Sequence, residues 1–311
     1  MGFNSWTTHM ILAANKEKKF DPGTPFGLGG RQSVFLEPRQ IVSLAELYGV
    51  EPKKLDGLFD LKAVDSDTLR TRNSVSDAAY IKNLINMETF SFDATSYENA
   101  ERILDLNRPF DSQMDSSELN RFDGLYDGGC LDNVWNPAQS QMNLASLLKK
   151  NGRIINWACA SNWPGAFTMI SCEWLLSFYA INNFSNIRVY WFHPIQDGTN
   201  WPNLSAEVWR FKPTFTRRID YDPYTSSIEA SSHPGFVLAI AEVTGPKSPT
   251  EWSVPMQSHY LGGEYRDWRD DYEHVPGLPF VFEPKGPGYI PVSNPIDSDH
   301  YEFCGVLKGF V

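Results

Sequence analysis

Glycines and carboxylates recur in this sequence at one kind of place, the carboxyl end of a short apolar run. Thr24 to Val34 reads TPFGLGGRQSV, an apolar approach into Gly27, Gly29 and Gly30. Thr89 to Asp93 alternates as TFSFD and ends on an acid. Arg102-Ile103-Leu104 runs into Asp105-Leu106-Asn107, and Phe122 to Tyr126 stops at the corner Asp127-Gly128-Gly129. Absent side chains let backbone N–H groups approach a ligand, and a carboxylate accepts bonds from paired donors. Such groups at the carboxyl edge of a sheet are the parts of a nucleotide-type site. Each also has a plainer role. Asp93 caps the turn over 96–100, Asp105 ends a strand, Asp127 accepts turn N–H bonds, and GLGG is a turn.

Strands and helices must hold these corners in place. After Asn136-Pro137 the apolar positions Met142, Leu144, Leu147 and Leu148 recur at helical spacing. Lys149-Lys150 suit a helix carboxyl end, and Asn151-Gly152 supplies a stop. Arg153 to Ala160 is an apolar run bounded by turn residues, as a buried strand would be. Strand, acidic turn, helix, stop and strand make a βαβ unit with parallel strands. Ile41 to Tyr48 forms an amphipathic helix ending at Gly49, and Ser76-Asp77 opens another. Asn186 to Phe192 and Phe236 to Val243 read as two later strands, with a long aromatic-rich connection between them.

The ordered set FDGLYDGG, LDNVWNP and LLKKNGR, then a strand, resembles the region after the fourth strand of class I S-adenosylmethionine-dependent methyltransferases. In that family an FD-hydrophobic-hydrophobic strand leads to an L-[ED]-[HN]-V helix start, a helix ending LLKPGG-[RK], and strand five. Lys150-Asn151 stands where Pro-Gly is usual, and no acid precedes the GLGG turn. The resemblance covers about Thr24 to Val243. It implies an α/β fold: a seven-stranded, mostly parallel Rossmann-like sheet with helices on both faces, its last strand antiparallel between the fifth and sixth. It implies S-adenosylmethionine as cofactor, held by Gly27, Gly29, Gly30, Asp93, Asp105, Leu106, Asp127 and Gly128. Asp93 then accepts from the ribose hydroxyls and Asp105 lies against the adenine amino group. Ile170-Ser171-Cys172-Glu173 resembles the ISPE helix start that borders the family's substrate pocket, which makes Asn162 and Trp163 acceptor-side residues.

Transfer of a methyl group from a sulfonium is an in-line displacement, so alignment and desolvation can do most of the work. An oxygen or nitrogen nucleophile that must lose a proton also calls for a base. Asn133 stands where many relatives have His, which removes one base; Asp127 and His259 are the catalytic candidates, with His193 a substitute. Tyr260 joins Asn162 and Trp163 on the acceptor side. The expected reaction is methyl transfer to a small-molecule or saccharide-like acceptor. Two alternatives stay open. One is a methyltransferase-like scaffold that has lost catalysis; the other is a nicotinamide-dependent oxidoreductase, although Gln32 breaks the G-x-G-x-x-G spacing.

Composition sets the outer limits. The chain has 311 residues, 41% hydrophobic, enough for a proper core. Its net charge of -11 and pI near 5.0 disfavour a nucleic-acid surface. No stretch approaches the roughly 18 apolar residues of a membrane span, and no signal-peptide core opens the chain, so a cytoplasmic protein is expected. Cys130, Cys159, Cys172 and Cys304 lack metal-ligand spacing, and the first three lie in apolar runs as reduced thiols would. No metal is expected. The organisation reads as a segment over 1–23, an α/β domain over 24–244 with an insertion at 51–75, and a Pro- and aromatic-rich extension over 245–311 packed on the core.

Overall fold

A computed structural model describes residues 2–51, 75–161, 164–212, 235–255, 272–291 and 301–311. Gly2–Phe3 (β1) leads into Ser5–Glu17 (α1), whose start is a reciprocal cap. The Asn4 side chain accepts from the Thr7 N–H, and the Thr7 hydroxyl accepts from the Asn4 N–H. Phe26–Gly29 (β2) and Ser33–Val34 (β3) flank the glycine turn, and Pro38–Leu47 (α2) follows. Asp77–Ile85 (α3), Thr89–Asp93 (β4) and Arg102–Ile103 (β5) come next. Then the βαβ unit forms: Phe122–Gly128 (β6), Pro137–Ser146 (α4) and Leu148–Ser161 (β7), with β6 and β7 parallel as expected. Cys172–Ile181 (α5), capped by Ser171 accepting from the Trp174 N–H, precedes Ser185–Ile195 (β8), Ser205–Phe211 (β9), Gly235–Glu242 (β10) and Tyr301–Leu307 (β11).

Among the described residues the main sheet has nine strands in the order β11-β9-β8-β10-β7-β6-β2-β4-β5. The order corrects the expectation of seven mostly parallel strands. Only the half built from β7, β6, β2, β4 and β5 is parallel; β10, β8, β9 and β11 pair antiparallel. The antiparallel β10 lies between β7 and β8. The extra strands β9 and β11 were hidden for a physical reason. Each is a short run beyond the predicted set; β9 pairs with both β8 and β11, and β11, interrupted by a bulge between Phe303 and Gly305, gains its regularity only by pairing with the distant β9.

Central strands bury both faces. Along β7, Ile155, Trp157 and Cys159 enter the core under α1, α2 and α3, while Ile154 and Ala158 enter the core under α4 and α5. Along β10, Phe236, Leu238 and Ile240 alternate with Val237, Ala239 and Ala241 in the same way. This period of two on strands with no polar face is what a sheet covered on both sides requires.

One boundary moves. The helix expected to reach Lys150 stops at Ser146, and Lys149 and Lys150 belong to β7. The Arg121 and Phe122 N–H groups both donate to the Leu147 carbonyl, which ties this point to the neighbouring strand. Lys149 pairs with Asp21 at 2.7 Å and Asp123 at 3.3 Å rather than serving a helix end.

The described parts of 245–311 lie against the sheet and its helices. The Trp252 indole is buried against Phe178 and Phe184 and donates to the Ser146 hydroxyl at 2.7 Å. The Leu278 N–H donates to the Tyr190 hydroxyl, and the Arg188 guanidinium to the Pro276 carbonyl. Among the described residues the four cysteines are free thiols, no helix is long and apolar enough to cross a membrane, and no group of three or more His, Cys, Asp or Glu could hold a metal.

Candidate functional site

Strand order reverses between β2 and β6. From β2 the sheet runs outward through β4 and β5; from β6 it runs the other way through β7. The carboxyl ends of parallel strands splay apart at such a switch, and a crevice opens there. Here it is a cleft of about 220 Å3, walled by the residues that follow β2, β4, β5 and β6.

The β2 wall is held from beneath. Gly30 turns the chain at φ +75°, and its N–H donates to the Phe92 carbonyl at 2.7 Å. The next residues are pinned by Asp77 at the start of α3. Its fully buried carboxylate accepts from the Gln32 N–H at 2.9 Å and from the Arg31 guanidinium at 2.7 and 3.1 Å. Gln32 then folds back, donating through Nε2 to the Gly29 and Gly30 carbonyls at 2.9 and 3.1 Å. Its Oε1 is buried without a partner and lies over Gly128, where a Cβ would meet it at 2.0 Å. Gly128 is therefore required by contact, since any side chain there displaces Gln32.

Asp93 at the end of β4 forms the next wall. Its side chain accepts from the Thr95 N–H at 3.3 Å, and its Oδ2 lies 3.7 Å from the position a Gly30 Cβ would take. Burial and the Asp93 charge both push the Glu98 carboxyl upward. On the β6 side the chain turns through Gly129 at φ +96°. The Cys130 N–H donates to Asp127 at 2.7 Å, and the Asn133 amide donates to the Gly129 carbonyl at 2.6 Å.

Four of the expected cofactor residues meet at this cleft: Gly30, Asp93, Leu106 and Gly128. The other four do not line it. Gly27 faces Leu125 and Phe122, and Gly29 faces Leu144 and the backbone of β6, so both serve close packing of β2 on its neighbours. Asp105 turns onto its own loop, accepting from the N–H and amide of Asn107 and pairing with Arg108; these bonds hold its carboxyl below the usual range. Asn107 lines the cleft in its place.

Asp127 is enclosed. One carboxylate oxygen accepts from Cys130, and the other accepts from the Asn156 amide at 3.0 Å. Asn156 also bonds Gln141 and Tyr179, and Gln141 donates to the Tyr179 hydroxyl, which closes a ring of buried polar groups under α4 and α5. Burial pushes the Asp127 carboxyl up to about 7 against these bonds, and the neighbouring Asp132 adds to the rise. Asp132 braces a different part of the wall. Its side chain accepts from the Cys159 N–H, and its carbonyl accepts from Phe167 and Thr168. His193 is buried on β8, separated from β6 by β7 and β10, and does not line the cleft. Asn162, Trp163, His259 and Tyr260 lie outside the described residues.

Sequence reasoning missed Gln32, Asn107 and Cys130 as cleft residues. A polar side chain directly after a glycine turn was the available signal for Gln32. A second cavity of about 360 Å3 adjoins, and Asn133 lines both.

No protein-family model matches the chain, and no curated protein matches it. Solved structures similar to it include a SAM-dependent methyltransferase from Archaeoglobus fulgidus, 10% identical, covering 76% of this chain and 94% of that one at a TM-score of 0.37. The CurJ carbon methyltransferase is 11% identical over 78% of this chain at 0.35, and the DszA carbon methyltransferase 12% identical over 77% at 0.33. The chain spans 54% of the length of each of these last two.

Proposed function

We propose that this chain transfers a methyl group from S-adenosylmethionine to a small-molecule acceptor. The observation that carries the reading is the switch-point cleft that joins Gly30, Asp93, Leu106 and Gly128 in a sheet where β10 runs antiparallel between β7 and β8. The sequence resemblance implies both features. The residues also fit the cofactor chemically. Asp93 is a carboxylate at a strand end, suited to the paired ribose hydroxyls. Leu106 and Asn107 offer an apolar side and an amide to an adenine ring. The glycines at 128 and 129 line the cleft and let the amino-acid end approach the backbone closely.

When bound, S-adenosylmethionine supplies an electrophilic methyl carried on a positively charged sulfur. The protein's part is to align the acceptor and exclude water. Asp127 is assigned to positioning the β6 turn, because both its oxygens are bonded inside the protein. Asn162, Trp163, His259 and Tyr260, which lie outside the described residues, are assigned to the acceptor side on the sequence resemblance and composition alone.

The enclosure of Asp127 and the Asn at 133 favour a second reading, a donor-binding scaffold without turnover. A nicotinamide enzyme is less favoured, since the antiparallel β10 has no place in that pattern. Calorimetric titration with S-adenosylmethionine and, in parallel, with NAD tests the proposal. Saturable binding of the first alone is expected. Binding of NAD alone would replace it with the oxidoreductase reading.

A further inference from the structure

The cavity beside the donor cleft has a chemistry of its own. Its walls are the rings of Phe35, Trp157 and Trp201 with Pro164 and Pro202, and among the described residues no charged side chain lines it. Trp157 and Trp201 both pack on Phe236, at ring distances of 5.5 and 6.0 Å, so one core ring fixes two walls. The Phe35 wall is tied down through Asn203, which donates to the Phe35 carbonyl at 2.9 Å and accepts from the Ser5 N–H at 3.2 Å. On the other side, Asp132 holds the loop after Gly165 through its carbonyl.

One polar side chain, Asn133, lines this otherwise apolar space among the described residues, while Trp157, 1% exposed with its indole N–H buried, serves as a ring wall. Asn133 stands where the two cavities meet. Its amide nitrogen is committed to the Gly129 carbonyl and the Asp132 carboxylate, which leaves its carbonyl oxygen to accept a hydrogen bond from a ligand.

We infer that this cavity binds an uncharged, flat aromatic molecule bearing a hydroxyl, with the ring between the indole and proline walls and the oxygen toward Asn133. The inference names the acceptor class and rests on the methyl-transfer reading for what then happens to that hydroxyl, though not for binding itself. Among the described residues a sugar would find one polar partner for many hydroxyls, and an anion would find no cation in these walls. The volume of about 360 Å3 suits a one- or two-ring ligand.

Naphthol, naphthoate and naphthalene share a ring system and separate the contributions. In calorimetry on the whole chain at neutral pH, naphthol should bind saturably and naphthoate at least about tenfold more weakly, because its charge would be buried unpaired. Asn133→Ala removes the carbonyl acceptor; it should weaken naphthol about three- to tenfold and leave naphthalene unchanged. Trp201→Ala, at a half-exposed position, should weaken both, and decides the matter if Asn133→Ala does not fold. Equal binding of naphthoate, or naphthol binding indifferent to both substitutions, overturns the inference. A parallel titration with S-adenosylmethionine keeps the two claims apart. Cofactor binding without naphthol binding sinks the pocket alone; naphthol binding without cofactor binding sinks the methyl-transfer reading alone.

Discussion

The Asn156 amide donates to the Asp127 carboxylate at 3.0 Å, inside a ring of polar groups closed by Gln141 and Tyr179. The bond draws an aspartate expected at the chemistry into the interior. It also makes the turn above it rigid, because the same carboxylate holds the Cys130 N–H on the floor of the cleft.

That burial has a pH signature. Asp127 is pushed from its ordinary 3.8 to about 7, so between those values the folded protein keeps a proton that the unfolded chain has lost. Its contribution to stability is fully present below about pH 4 and is lost as pH rises through about 7. One group titrating alone gives at most about 1.4 kcal/mol per pH unit. Asp127→Asn should flatten the dependence of the unfolding midpoint on pH across this window. An unchanged slope would mean that Asp127 is not the group responsible.

Gly128→Ala places a methyl where Gln32 Oε1 now lies. Overpacking of this kind costs about 1–3 kcal/mol, and denaturant melts should show it. In a Gln32→Ala background the loss should shrink, because one of the two obstructing side chains is gone; the Tyr126 ring remains. Equal losses in both backgrounds would break the claim that Gln32 covers Gly128.

The Arg31–Asp77 pair supports the same wall, with Arg31 8% exposed and Asp77 fully buried. Removing one partner of a buried pair typically costs about 3–5 kcal/mol when the other charge is left unpaired. Arg31 keeps Glu101 at 3.4 Å, so Asp77→Asn should cost less than that full loss, measured by chemical denaturation. A change no larger than that of a surface salt bridge would show that the pair is open to water.

Trp252 tests how the chain beyond β10 holds to the sheet. Its ring is buried against Phe178 and Phe184, and Trp252→Ala should cost about 3–5 kcal/mol. Trp252→Phe should recover part of that loss while the bond to Ser146 stays broken. A neutral Trp252→Ala would mean that the segment is only draped over the core.

Most of the parallel half of the sheet was legible because β2, β4, β5 and β6 are short apolar runs leading into Gly or Asp. The βαβ unit, the Ser171 cap and the strand at 235–242 follow from local signals, while its antiparallel direction came from the family resemblance. Local signals could not reveal β11, whose regularity depends on β9 far along the chain. The site was half legible for a similar reason. Spacing located the strand ends, which put Gly30, Asp93, Leu106 and Gly128 at the cleft. Side-chain direction depends on the pleat and on neighbouring strands, so Gly27, Gly29 and Asp127 fell on core-facing positions and Asp105 onto its own loop. Gln32 was visible only as a break in a glycine pattern, although that break is what fills the space over Gly128.

Calorimetric titration of S-adenosylmethionine into the parent chain and into Asp93→Ala tests the central claim most directly. Among the described residues Asp93 is the one charged acceptor lining the cleft, and it is the group assigned to the ribose. Its bond is worth about 1.5–3 kcal/mol. The account predicts saturable one-to-one binding by the parent and a loss of roughly ten- to a hundredfold in the variant, with the unfolding midpoint little changed. No binding by the parent, or equal affinity in the two proteins, would contradict it.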